Sequence, residues 1–328
     1  VTLVIGAYGP DMGGAAQGVS LARERGDALD LTGDVLKAAS PSWVSVRGDR
    51  MAATLEGTGE LAWFRRSGEG WGADGIVELG GANPCHLAFL DDDTVAVACY
   101  GDGAVVVVRV GEESPRQRLA GSGSGPLPAQ EGPHAHHVLV LADGRILTLD
   151  LGADRLHVHT RDESGLLERV SSIALPAGTG PRDLHMLPSG AIALLGEWSC
   201  ELLLLDAETL EVREAHPLPG ATRGDDQASA LAVSQDGRFL YAGIRGANRI
   251  AVFALDGADV RPLDSVPSGG DWPRHLIVDG EFLRVANQRS DEVVTFRIPA
   301  SGIPKEVSRL ATPAPTCVVM TTPESLLS

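Results

Sequence analysis

Lysine is almost absent. The 328-residue sequence holds only Lys37 and Lys305, and its 27 basic residues stand against 44 acidic ones, a formal net charge of −17. A groove that tracks phosphodiesters needs clustered basic side chains, and no basic run occurs, so neither nucleic acid nor an anionic membrane surface is an expected partner. No apolar run approaches the ~20 residues of a membrane-spanning helix. The opening VTLVIGAYGP has no basic segment and too short an apolar run for a secretion signal, so a cytoplasmic location is expected. Cysteine is sparse as well. Cys85, Cys99, Cys200 and Cys317 show no CxxC or zinc-knuckle spacing and are expected as reduced thiols. No GxSxG elbow and no helix-opening GxGxxG appear, which argues against a serine esterase and a dinucleotide site. No cofactor is expected. An acidic shell of this size favours a monomer or a weak homo-oligomer.

Aromatic residues make up only 4%, whereas glycine is abundant at 40 residues and proline at 20. Val, Leu and Ala carry the apolar content. That balance suits many short strands joined by tight turns. The strands repeat. PSWVSVRGDRMAATLE, NPCHLAFLDDDTVAVACY, AHHVLVLADGRILTLDL, PRDLHMLPSGAIALLGE, ASALAVSQDGRFLYAGIR and PRHLIVDGEFLRVANQ each read as an extended run, a tight turn and a second apolar run, and a closing PTCVVM supplies a further first strand. Corresponding residues Ser42, Cys85, His136, Arg182, Ser229, Arg274 and Thr316 fall 42 to 51 residues apart. Each hairpin is followed by a turn and a third strand, such as YGDGAVVVV or RGANRIAVF, with room for a fourth. A period in the forties with four short strands per repeat predicts a β-propeller. VTLVIGAY reads as a second strand that pairs with PTCVVM. The expectation is therefore an all-β, seven-bladed propeller of four-stranded antiparallel blades. Residues 1–328 form one domain, the last blade is closed by the N- and C-terminal strands, and the Gly/Ser-rich 121–132 is an inter-blade loop.

Propeller geometry places a mouth. The start of each first strand and the end of each second strand share one end of a hairpin. The first ring above and a second, Tyr8, Glu56, Tyr100, Leu151, Glu197, Arg245 and Gln288, should then line one concave face. His86, His137 and His275 occupy one equivalent position just after the ring and read as architecture. His136 is unique to its blade. GPHAHH raises a metal site, since His134 and His136 share a face of an extended strand and Asp150 lies across the hairpin, but nearby arginines would repel a cation and no metal is expected. Arg182, Arg245 and Arg274 on the two rings instead suggest a small anionic substrate bearing carboxylate or phosphate. His136 or Glu197 could take a proton from water, Arg182 or Arg245 could stabilise an oxyanion, and Arg274 could hold a remote anionic group. His134, Tyr100 and Gln288 are candidates for further substrate contacts.

GANPCHLAF, GPHAHHVLVLADGRILTLDLGADR, GPRDLHMLPSG, SQDGRFLYAGIRGANRIAVF and WPRHLIVDGEFLRVANQRSDEVVTFRI together resemble the lactonase family of seven-bladed propellers, over nearly the whole chain. That family contains bacterial 6-phosphogluconolactonase and a fungal carboxy-cis,cis-muconate lactonising enzyme. The resemblance implies a histidine, arginines and a glutamate at the mouth, and His136, Arg182, Glu197 and Arg245 match those positions in GPHAHH, GPRDL, GEWS and IRGAN. One departure stands out. Members usually show AEIHVS where this chain has SALAVS, so Ala230 and Ala232 replace a glutamate and a histidine, which implies a changed substrate or reduced activity. The expected function is hydrolysis of a small sugar-type lactone of the 6-phosphogluconolactone kind by metal-independent acid–base catalysis. A muconate-type lactonising cycloisomerase and a non-catalytic binding scaffold are the alternatives.

Overall fold

The computed structural model describes residues 2–68 and 70–321. They form seven four-stranded antiparallel sheets in the order in which the repeats occur. The ends of the expected 1–328 domain, residue 1 and residues 322–328, lie outside the described residues. The innermost strands of blades one to seven are Pro41–Arg47, Pro84–Phe89, Ala135–Val140, Pro181–Met186, Gln227–Val233, Pro273–Asp279 and Pro315–Thr321. Three short 3-10 turns are the helical elements among the described residues.

Blade seven closes the ring. Its inner strand Pro315–Thr321 pairs antiparallel with Thr2–Ala7, from Thr2 opposite Thr321 to Ala7 opposite Pro315. Leu3 and Ile5 are fully buried there against Val318, Ala286 and Val293, so the joint between the chain ends is stabilised by apolar burial as well as by ladder hydrogen bonds. Elsewhere the blades pack face to face through Val, Leu and Ala, as where Leu195, Leu202 and Leu204 meet Leu240, Ala242 and Phe253. The outermost strands are largely exposed; Val212–Pro217 is an example. The 121–132 segment is indeed an inter-blade loop. Its Gln130 is buried and donates to the Leu151 carbonyl at 2.9 Å and to Asp154 at 2.8 Å.

One irregularity recurs in every blade and positions the site. The inner strand carries a β-bulge where it pairs with its neighbour, and each bulge falls at the ring residue: between Pro41 and Trp43, Pro84 and His86, Ala135 and His137, Pro181 and Asp183, Ala228 and Leu231, Pro273 and His275, and at Thr316. In a regular strand, consecutive side chains point to opposite faces. The extra residue breaks that alternation and re-aims its side chain. Both the ring residue and its successor then line the central channel, as His136 and His137 do, and Arg182 and Asp183.

The successors hold the blades together. His86 Nδ1 accepts the Val138 N–H at 3.2 Å, Asp183 accepts the Leu231 N–H at 2.8 Å, and His275 Nδ1 accepts the Val318 N–H at 3.1 Å. Each bond runs from one blade to the next. His137 does something different: its Nδ1 lies 3.0 Å from Asp183 and its ring lies against that of His86. Asp183 thus joins the histidines as a member of this architectural layer.

Candidate active site

Above that layer the two rings converge on a cavity of about 260 Å³. Of the sequence candidates, His136, Arg182, Glu197, Arg245, Arg274 and Tyr100 all line it. His134 and Gln288 stand behind it. His134 stacks on the Tyr100 ring at 4.4 Å with its Nδ1 2.6 Å from the Tyr100 carbonyl oxygen, and Gln288 accepts from Arg274 at 3.4 Å. Leu151, the blade-three member of the second ring, is fully buried and does not line the cavity. A depression of about 370 Å³ on the outer surface is larger, but its Asp236 and Arg238 pair with each other and no convergent polar set forms there.

The centre of the mouth is a three-residue charge cluster. Oε2 of Glu197 accepts from Arg182 Nη1 at 2.5 Å and forms an ion pair with Arg245 Nη2 at 2.8 Å. Backbone carbonyls fix the guanidinium groups in turn, Ser229 for Arg182 at 2.7 Å and Ala228 for Arg245 at 3.1 Å. Trp272 lies beneath Arg245, with the guanidinium carbon 5.3 Å from its ring centre. All three charged residues are buried. Burial alone would raise the Glu197 pKa, but Arg245 and Arg182 outweigh it and hold the carboxyl below the usual carboxylate range. Glu197 is therefore an anchored anion, and both arginines are pre-positioned donors.

His136 stands beside this cluster on the neighbouring blade, edge-on to Tyr100 at 6.2 Å. It is buried, and its Nδ1 has no hydrogen-bond partner among the described residues. Burial, then the charges of Arg182 and Arg274, push its pKa well below that of an ordinary histidine. At neutral pH it is an uncharged imidazole whose buried Nδ1 is unpaired among the described residues. Asp150, the third ligand of the metal arrangement considered for GPHAHH, accepts the backbone N–H groups of His134 and Ala153 at 2.8 and 3.0 Å, a turn-stabilising role. Among the described residues no group of three or more His, Cys, Asp or Glu is arranged to hold a metal ion.

A second cluster occupies the other side of the mouth. Tyr8 donates to Glu56 Oε1 at 2.9 Å, Arg274 Nη2 lies 3.7 Å from Glu56 Oε2, and the Arg274 guanidinium sits over the Tyr8 ring at 4.8 Å. Cys85 of the first ring lines the mouth as expected, and two further residues complete the lining without having been singled out in the sequence: Trp198 and Gln227. Gln227 lies two residues before Ser229, as His134 lies two before His136, and that offset was its signal. Trp198 follows Glu197 directly. Its placement depends on Gly180, which has a positive φ of +58° and whose missing Cβ would come within 2.1 Å of the indole. The four cysteines are free and buried.

The two alanines that depart from the resemblance lie outside the mouth cavity. Ala230 lines the channel below it, in the layer of His86, His137 and His275, and Ala232 is buried in an apolar cluster with Phe239, Tyr241 and Leu276. The SALAVS departure therefore alters the channel and the core under the mouth, while the mouth keeps its charged cluster.

Comparisons with known proteins agree with the fold. The family model described as lactonase, 7-bladed β-propeller, matches residues 2–320. A 6-phosphogluconolactonase of Bacillus subtilis is 31% identical over 263 residues, covering 73% of this chain and 74% of its own. A crystal structure of a protein from Lactobacillus plantarum superposes with a TM-score of 0.88 at 26% identity, covering 97% of this chain and 98% of that one. A periplasmic gluconolactonase of Pseudomonas aeruginosa shares the fold, with a TM-score of 0.87 at 24% identity over 97% of this chain and 98% of its own. The chain belongs to the lactonase family of seven-bladed β-propellers.

Proposed function

We propose that the protein hydrolyses a small sugar-type lactone of the 6-phosphogluconolactone kind. The observation that carries this reading is an uncharged His136 with an unpartnered nitrogen beside two arginines that Glu197 holds in place. A lactone is a cyclic ester. Its opening requires a proton acceptor for the attacking water and donors for the oxyanion that forms on the carbonyl. His136 accepts the water proton as the oxygen bonds to the carbonyl carbon. Arg182 and Arg245 stabilise the developing oxyanion. The tetrahedral anion in turn offsets the penalty of charging an imidazole near Arg182 and Arg274. As the ring C–O bond breaks, His136 returns the proton to the leaving oxygen, and the product is a hydroxy acid.

Glu197 takes no part as a proton carrier in this scheme, because Arg245 and Arg182, both paired with its Oε2, hold the carboxyl ionised against the effect of burial. The cavity of about 260 Å³ falls just below the ~300–1,000 Å³ of pockets for drug-sized ligands and suits a single sugar ring. Three arginines against two glutamates in the lining support a substrate that carries phosphate or carboxylate. The name of the B. subtilis relative supports the same substrate class. The test is acid release from 6-phosphogluconolactone and from glucono-δ-lactone, run beside consumption of a carboxymuconate. Faster acid release with the protein than without it supports the reading, and turnover of the muconate alone replaces it with the cycloisomerase.

A further inference from the structure

We infer that Glu56, held by Tyr8, is a hydroxyl-recognition residue that selects lactones bearing ring hydroxyl groups. This rests on the lactonase reading of the mouth and names what that mouth distinguishes. Glu56 belongs to blade one and Glu197 to blade four, the widest separation a ring of seven allows, so the two carboxylates flank the cavity from opposite sides.

Their surroundings differ. Glu197 is paired with two guanidinium groups, both on Oε2, and neither of its oxygens is among the buried atoms left without a partner. Glu56 is also buried, yet only its Oε1 is bonded, by the Tyr8 hydroxyl at 2.9 Å. Oε2 has no hydrogen-bond partner among the described residues, and Arg274 at 3.7 Å is too distant to be one. A buried carboxylate oxygen without a donor is costly to leave unmet. Tyr8 fixes the rotation of the carboxylate, so the unmet oxygen has a defined place in the site.

What Oε2 lacks is a donor. A sugar lactone presents several hydroxyl groups, and an O–H bonded to a carboxylate is roughly twice as strong as a neutral hydrogen bond. A muconate-type lactone presents carboxylates and C–H groups on its ring, so it offers no donor and adds a like charge. Glu56 therefore favours the hydroxylated substrate and disfavours the carboxylate-rich one. Arg274 keeps the local charge balanced while this happens.

The experiment compares kcat/KM for glucono-δ-lactone with kcat/KM for δ-valerolactone, which has no hydroxyl groups, in the wild type, Glu56→Gln and Tyr8→Phe. The ratio of the two values should fall by about 10- to 100-fold in Glu56→Gln, the range of a hydrogen bond to a charged group. It should fall in the same direction, and less, in Tyr8→Phe. Equal losses on both lactones, or an unchanged ratio, overturn the inference. If Glu56→Gln does not fold, Tyr8→Phe decides by the same ratio. If the wild type opens neither lactone, the lactonase reading fails, and calorimetric binding of gluconate then judges Glu56 alone. Tenfold weaker binding in the folded variant upholds hydroxyl recognition. Equal binding, or none by the wild type, overturns it.

Discussion

Arg182 donates to Glu197 at 2.5 Å across one hairpin of blade four, both side chains buried. The pair is fixed twice over. The bulge at Arg182 turns its side chain toward the channel, and the next blade's Ser229 carbonyl takes its Nε. The same carboxylate oxygen also holds Arg245. Glu197→Gln therefore strips the charge partner from two buried arginines. Removing one member of a buried ion pair costs about 3–5 kcal/mol. Urea unfolding should show a loss in that range, and lactone opening should fall with it. A variant as stable as the wild type would mean that solvent, and not Glu197, balances the two guanidinium groups.

Arg182→Met removes an oxyanion donor from the proposed reaction. The expected loss in kcat is about 10²–10³-fold, the usual cost of one such donor. Steady-state kinetics on glucono-δ-lactone provide the measurement. A rise in KM at constant kcat would reassign Arg182 to ground-state binding.

His136→Ala removes the proposed base. A drop in kcat of about 10²–10⁴-fold is expected, with partial recovery when imidazole is added to the assay. A variant with wild-type kcat would transfer the proton step to another group in the mouth.

The pH profile tests the state of that base. An ordinary histidine loses half its uncharged form near pH 6.5. Burial and the charges of Arg182 and Arg274 keep His136 uncharged well below that. Glu197 is held ionised over the same range by Arg245 and Arg182, against the effect of burial. The rate at fixed substrate should thus stay level as pH falls through 6.5 and decline only in more acid solution. A half-loss near pH 6.5 would contradict the environment described for His136.

The same cause sets a stability trend. Burial lowers the pKa of His86, and burial lowers that of His275 to about 4. Above pH 6.5 both are uncharged in the folded and the unfolded chain and add nothing. Below pH 6.5 the unfolded chain binds protons that the folded one refuses, so stability falls as pH falls toward 4. Differential scanning calorimetry should record a melting temperature several degrees lower at pH 5 than at pH 7. His275→Asn should reduce that difference.

The propeller was legible because its repeat is carried by local chemistry: turn residues such as Asp-Gly-Arg and apolar runs at a steady spacing. The two rings followed from hairpin geometry, and they brought His136, Arg182, Glu197, Arg245 and Arg274 to one mouth. The bulges were not legible, because a bulge is a property of register between two strands and leaves no mark in the composition of either. The Tyr8–Glu56–Arg274 cluster was legible only in part: the rings placed its three members at one mouth, but not which of them pair. Its members come from blades seven, one and six, and only closure of the ring makes blades seven and one neighbours. His134 looked like a site residue because it precedes His136 on the same face, yet its ring stacks on Tyr100 and supports it from behind. Trp198 was hidden because its position depends on the backbone of Gly180, whose left-handed conformation the sequence does not announce.

The most direct test of the account is acid release from 6-phosphogluconolactone and glucono-δ-lactone by the wild type and by His136→Ala, followed continuously at constant pH. The account predicts acceleration over the spontaneous rate by the wild type and a loss of about 10²–10⁴-fold in the variant. Lactone opening no faster than the spontaneous reaction, from a folded protein that still binds gluconate in its mouth, would contradict it.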